Sequence, residues 1–362
     1  MPAPFDPALL RRALVIKLRH HGDVLLAAPV LSALKAAAPQ CEIDALVYAD
    51  TAPMLTYHPA LAQLHCIDRD WKHLGPLAQL RAEGRLLSGL RLRRYDLVVH
   101  LSVHRRGAWL VRLLRPRWSV APRYTGRFWA GSFTHFYPAQ SHPQRHTVET
   151  NLDALRALGY EPKAADKRVI LIPGPDAETR IDTILAQHGL ERGRFIHLHP
   201  ASRWLFKCWP ADKFAALCDA LAHRGWPLVL TAAPEAKEKA LVAQILAQRA
   251  VPSAPTLDLS GALTLKELAA LTARARLFVG VDSAPMHIAA AMGTPTVAIF
   301  GPSGDKEWGP WNVRHRVVAS QHHPCRPCGR DGCEGSKVSA CLTELPVEQV
   351  LAACEALLAE TA

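Results

Sequence analysis

Residues 278–295, FVGVDSAPMHIAAAMGTP, set the reading of the whole chain. The apolar strand read at Leu277–Val279 runs into a turn carrying Asp282 and Ser283. Pro285 then stands where the first turn of a helix tolerates a residue without an N–H. Ala289, Ala290 and Ala291 are small enough to let that helix lie close on a sheet. Its N-terminus presents unpaired N–H groups and the positive end of the helix dipole, which suit a phosphate oxygen. Asp282 would repel a phosphate, so it is read as a partner for sugar hydroxyls. The plain alternative is that Asp282 or Ser283 caps the helix and His287 is a buried, satisfied histidine.

Outward from this stretch the same strand–turn–helix grammar recurs. Upstream lie strands at Phe195–Leu198, Pro227–Thr231 and Thr256–Leu259, alternating with helices at Ala211–His223, Ala236–Arg249 and Leu265–Ala273. Downstream lie the strand Thr296–Phe300 and a last amphipathic helix, Val347–Leu358. The front of the chain repeats the pattern with strands at Ala13–Leu18, Ile43–Tyr48 and Tyr95–Leu101. Its helices are Ala27–Ala37 and Asn151–Gly159. Short apolar strands separated by helices predict parallel sheets with right-handed crossovers. With 362 residues, the chain is read as two such domains with a cleft between them. The expected division is 1–162, 163–345 and a C-terminal helix at 346–362, with a short strand at Arg168–Ile172 in the passage.

The composition is that of a globular protein: 49% hydrophobic and 21% charged residues, with mean hydropathy near zero. No stretch reaches the roughly 20 apolar residues of a membrane helix, and the N-terminal region has no signal-peptide pattern. A cytoplasmic location is expected. The net charge is +11, concentrated in arginines around 85–94, 105–117 and 123–127. That suits a polyanionic partner, although no nucleic-acid-binding module is present.

Two further segments carry chemistry. After the first strand comes Arg19-His20-His21-Gly22-Asp23, placing a carboxylate at a strand end, where open parallel sheets bind ligands. The alternative is that Asp23 caps the next helix. After Phe195–Leu198 comes Pro200-Ala201-Ser202-Arg203-Trp204, then Lys207, which combines hydroxyl, guanidinium and ammonium groups as a diphosphate requires. The competing reading is an ordinary basic loop. Aromatics at Trp308–Trp311 are read as packing, with lining the cleft or carrying the acceptor as the alternatives. Nine cysteines do not make a disulfide framework. Cys325, Cys328, Cys333 and Cys341 are a candidate closed structural zinc site, with free thiols as the alternative.

Taken together, KLRHHGDVLLAAPVLSALK, YDLVVHL, HTVETNLDALRALG, HLHPASRWLFKCWP, LSGALTLKELAAL and FVGVDSAPMHIAAAMGTPTVAIFGPS resemble the bacterial lipopolysaccharide heptosyltransferases, the ADP-heptose glycosyltransferases of family 9. The region from Trp308 through Cys341 looks most like the branch adding a third, side-branch heptose. The resemblance implies an α/β fold of the GT-B type: two Rossmann-like domains, acceptor on the first and nucleotide-sugar on the second. It implies inverting transfer without a metal or other cofactor, from ADP-L-glycero-D-manno-heptose as substrate to the inner core of lipopolysaccharide. The work would be done at the cytoplasmic face of the inner membrane, with peripheral membrane contact. Asp23 matches the family's base. Ser202, Arg203 and Lys207 match its phosphate-binding positions, joined by Ser283 and His287 at the helix start. Asp282 matches the heptose-binding residue, and Ser260, Gly261, Thr264 and Leu265 match the loop beside adenine. Glu235 and Glu238 both fit the ribose carboxylate. One departure is the pair His20-His21, where many members carry small hydroxyl residues. A transferase using another nucleotide-sugar, and a non-catalytic nucleotide- or glycan-binding module, are the alternatives.

Overall fold

The computed structural model describes residues 4–139, 144–250 and 256–361. It divides into two compact units, Met1–Ile172 and Pro173–Ala362. The first holds a parallel six-stranded sheet built from β1 (Arg12–Ile16), β2 (Glu42–Tyr48), β3 (Leu61–Ile67), β4 (Leu97–His100), β5 (Trp118–Pro122) and β6 (His135–Tyr137). Its spatial order is β3-β2-β1-β4-β5-β6. The second unit has β7 (Ile196–His199), β8 (Leu228–Leu230), β9 (Thr256–Asp258), β10 (Leu277–Val281), β11 (Thr296–Phe300) and β12 (His315–Ala319). They are ordered β9-β8-β7-β10-β11-β12. Renumbered within its own unit, each sheet therefore reads 3-2-1-4-5-6, the doubly wound nucleotide-binding order. Each has one point where the winding reverses: between β1 and β4, and between β7 and β10. The loops leaving those strands are where ligands bind in such folds.

Why the strands read as unbroken apolar runs is visible in the second unit. Leu198, Leu230, Val279, Val281 and Ile299 point to one face, under helices Ala211–His223 and Val347–Glu360. Phe195, Val229, Leu271 and Ile181 belong to a core on the other side, beside a smaller cluster of Phe278, Ala298, Phe300 and Met286. A sheet buried on both faces has no polar side to alternate with. Trp308 packs on this smaller cluster. In the first unit Leu14, Ile16, Leu46 and Val98 form the core with Ala108, Leu110 and Trp129.

A buried carboxylate pins one helix of the first unit. Asp44 on β2 accepts from Arg93 Nε at 2.7 Å and from the Tyr95 hydroxyl at 2.7 Å. Arg93 ends the helix Pro76–Arg93, so the pair ties that helix's last turn to the sheet.

The passage between units differs from expectation. Residues 168–172 form no strand, and the division places 163–172 with the first unit. A 3-10 turn at Ala164–Lys167 holds them there. Lys167 Nζ donates to Glu149 at 2.8 Å, and the Tyr160 hydroxyl donates to Asp166 at 3.3 Å.

Candidate active site

At the reversal point of the first unit, β1 ends in a charged segment. Asp23 lies in the first turn of a five-residue helix, His21–Leu25. The cap residue is His20, and no side chain caps the turn. Asp23 is therefore not spent as a cap, and its carboxylate stands 3.8 Å from Arg19 Nε. Of the two neighbouring histidines, His21 donates through Nε2 to the Asp50 carbonyl at 3.0 Å, which anchors the loop.

Beneath this turn sits Lys17, a residue the sequence reading passed over. Only 6% exposed, its Nζ donates to the Leu101 carbonyl at 3.0 Å and to Asn151 Oδ1 at 3.1 Å. Asn151 Nδ2 in turn donates to the Leu26 carbonyl at 2.9 Å. One ammonium thus joins the ends of β1 and β4 to the turn behind Asp23. Burial lowers its pKa to about 8, with Asp23 pulling it up and Arg19 pushing it down. The signal available in the sequence was a lysine closing a strand otherwise made of Ala, Leu, Val and Ile. A charge in such a place is buried only when paired.

The second unit's reversal point gathers the residues from the two other motifs. Lys207 closes a 3-10 turn, Leu205–Lys207, and its Nζ donates to Asp282 Oδ2 at 2.6 Å. Asp282 leaves β10 directly and is buried. Ser283 begins the helix Ala284–Ala291 without a side-chain cap, its hydroxyl bonding back to the Val281 carbonyl at 3.3 Å. Pro285 has no N–H and the Met286 N–H donates to the Ser283 carbonyl at 3.1 Å, so in the first turn the Ala284 N–H is the donor left over among the described residues. Ser202 is buried in the loop after β7, and its hydroxyl accepts from the Trp204 N–H at 3.4 Å. Arg203 is exposed, and its carbonyl is held by Lys237. His287 is buried within the helix. The neighbouring His197 and His199 are not part of this crevice. Both are buried, and both bond the Thr231 hydroxyl, at 2.7 and 2.8 Å. Burial holds His199 at about 3, so it stays neutral.

The loop after β9 is shaped for close approach. Gly261 has φ 74°, and a Cβ there would lie 3.2 Å from the Pro234 Cα, so only glycine fits without a shift. The Ser260 hydroxyl is buried without a hydrogen-bond partner among the described residues. Thr264 is occupied as a cap, in a reciprocal box with Glu267, at the head of Leu265–Thr272. Of the two candidate carboxylates, Glu235 is exposed and starts the helix Ala236–Ala247. Glu238 is buried, accepts weakly from the Ala233 N–H at 3.4 Å, and has its pKa raised by that burial.

Among the described residues, no three His, Cys, Asp or Glu side chains assemble as a metal-ligand set. Cys325, Cys328 and Cys333 are exposed and Cys341 is buried, all as free thiols.

The second reversal point thus brings an ammonium, a buried carboxylate and a helix start without a side-chain cap to one strand end. The profile of "Glycosyltransferase family 9 (heptosyltransferase)" matches residues 84–339. The chain is 35% identical over 348 residues to lipopolysaccharide heptosyltransferase 3 of Escherichia coli K12, covering 95% of this chain and 97% of that one. The chain therefore belongs to glycosyltransferase family 9, and it is a glycosyltransferase. Its fold is that of a family 9 glycosyltransferase from Veillonella parvula, with a TM-score of 0.83 at 22% identity over 98% and 99% of the two chains. It is likewise that of an E. coli heptosyltransferase solved with ADP-2-deoxy-2-fluoro heptose, with a TM-score of 0.70 at 20% identity over 97% and 100%. The fold is thus of the GT-B class that the sequence motifs implied, each unit being Rossmann-like.

Proposed function

We propose that the chain transfers heptose from ADP-L-glycero-D-manno-heptose to the inner core of lipopolysaccharide, with inversion and without a metal. The observation that carries the donor half is the Lys207–Asp282 pair at 2.6 Å beside an uncapped helix start. An ammonium has three protons, and Asp282 engages one of them. A diphosphate takes the others together with the Ala284 N–H at the helix start, while Asp282 accepts from sugar hydroxyls. Ser202 and Arg203 add donors at the same strand end. Glu238, buried next to the loop after β8, is the ribose partner in this reading, and Ser260 and Gly261 line the adenine side with Thr264 and Leu265.

The acceptor half is Asp23. Its carboxylate takes the proton of the acceptor hydroxyl as that oxygen attacks the anomeric carbon. The bond from that carbon to the diphosphate oxygen breaks on the opposite side, and ADP leaves with the electron pair. A single displacement inverts the centre. Charge grows on the departing oxygen, and Lys207 with fixed N–H groups offsets it, the role preorganised donors play in acyl and phosphoryl transfer. Lys17 holds the floor under Asp23 through Leu101 and Asn151. Action at the cytoplasmic face of the inner membrane follows from an acceptor carried on lipid. No helix among the described residues is long and apolar enough to cross a membrane.

The test is a donor screen. The protein is incubated with ADP- and UDP-linked sugars and a heptosylated core acceptor, and the product is weighed. A heptose increment from the ADP donor is expected. No increment with any donor, alongside intact ADP binding, would instead mark a binding module. Glu238→Gln should weaken ADP about tenfold, and Glu235→Gln should leave it unchanged, the loss being that of one charged hydrogen bond.

A further inference from the structure

We infer that two neighbouring helices of the first unit form a docking face for an anionic phospholipid bilayer; this deepens the reading of a lipid-borne acceptor and rests on it. The helices are Pro76–Arg93 and Arg105–Leu114. Arg106 pairs with Glu83, and Arg91 Nε donates to the Leu113 carbonyl at 3.4 Å, so the two lie side by side and run the same way. More than half of the strongly exposed large apolar side chains among the described residues fall between Leu74 and Tyr124. On these two helices Leu77 is 72% exposed, Leu80 69%, Leu92 81% and Trp109 58%. The first helix turns Leu86, Leu87 and Leu90 inward and is pinned at its end by the Arg93–Asp44 pair. Its outer leucines therefore play no part in holding it.

Charge selects the occupant. Ten arginines and two carboxylates lie between residues 76 and 117. Both acids are already engaged: Glu83 by Arg106, and Asp96 by the backbone N–H groups of Arg11 and Arg12 at 2.8 and 3.0 Å. Arg81 and Arg85 share the exposed side of the first helix with Leu77 and Leu80. Leucine and tryptophan among arginines, with no free acid, is the pattern of a helix lying in a headgroup region. A second copy pressed on the same face would set these arginines against their own kind.

The experiment is sedimentation of the full chain with phosphatidylcholine vesicles, with and without phosphatidylglycerol. Binding is expected only with phosphatidylglycerol, and it should weaken as salt is raised. The combined variant Leu77→Ser, Leu80→Ser, Trp109→Ala should partition about tenfold less, as should Arg81→Gln with Arg85→Gln. Thermal unfolding at the wild-type temperature shows that each variant is folded. Equal binding to both vesicle types, or wild-type partitioning by both variants, overturns the proposal. So does a concentration-dependent dimer that the apolar variant abolishes. Transfer to a lipid-free core oligosaccharide should be untouched in the apolar variant. Loss of that transfer in the wild type, with vesicle binding intact, would break the functional reading and leave the docking face standing.

Discussion

The two reversal points share one topology and differ in what their strand ends carry. In the first unit the buried charge, Lys17, is fixed by a carbonyl and an amide, and the carboxylate above it is left partly open to solvent. In the second the ammonium and the carboxylate are bonded to each other. In the proposed reaction the first arrangement leaves a carboxylate to take a proton. The second would hold ammonium and carboxylate in one bond, with the ammonium's remaining protons for a phosphate. On that reading the same winding would support a proton acceptor in one half and an anion cradle in the other, with the side chains just past the strands deciding which.

The largest effect that would break this contrast is at Asp23. Asp23→Ala should lower transfer by about a thousandfold while ADP affinity stays near wild type, as loss of a general base does. Single-turnover transfer and calorimetric ADP titration read the two sides. A variant that turns over like the wild type removes the first unit's role.

Next is Lys17, whose lowered pKa gives a signed test. The folded ammonium releases its proton near pH 8, whereas the unfolded one does so near 10.4. Between those values the unfolded chain binds more protons, so stability rises with pH across the window, by up to about 3 kcal/mol. Urea unfolding of wild type and Lys17→Met at pH 7.5 and 9.5, values spanning roughly the lower part of that window, isolates it. The gain on raising pH should be smaller in the variant, and identical gains would mean the ammonium is not buried as described.

Lys207→Met probes the other half. It should weaken ADP binding by about ten- to a hundredfold, the worth of a charge-assisted hydrogen bond. An affinity equal to wild type would mean the pair is a structural strut alone. The smallest expected effect is at Ser260. Ser260→Ala removes a buried hydroxyl that has no hydrogen-bond partner among the described residues, so folding stability should hold or rise by a few tenths of a kcal/mol. ADP affinity should drop only about threefold, the scale of one neutral hydrogen bond.

Much of the architecture was legible because a sheet covered on both faces writes itself as short apolar runs. Thr296–Phe300 and Ala211–His223 have the bounds expected of them. Strands with a wetter pattern escaped. β3 reads LAQLHCI with exposed Ala62 and Gln63, and β12 starts on exposed His315 and Arg316. Residues 168–172 misled in the opposite sense, a largely apolar run that forms no strand. In the sites, motif spacing brought Lys207, Asp282 and Ser283 to one strand-end region. It gave no hint of Lys17 or Asn151, which act through a contact 134 positions apart. Nor could it separate Glu235 from Glu238, since three residues along the start of a helix decide burial only once the loop after β8 has folded.

The ion bond between Lys207 and Asp282 also bears on how a reaction cycle ends. Under the proposed reaction, spent nucleotide would still share the ammonium but would no longer offer the transferred sugar's hydroxyls to the acid. Product would then be held by fewer bonds than donor, which favours its release.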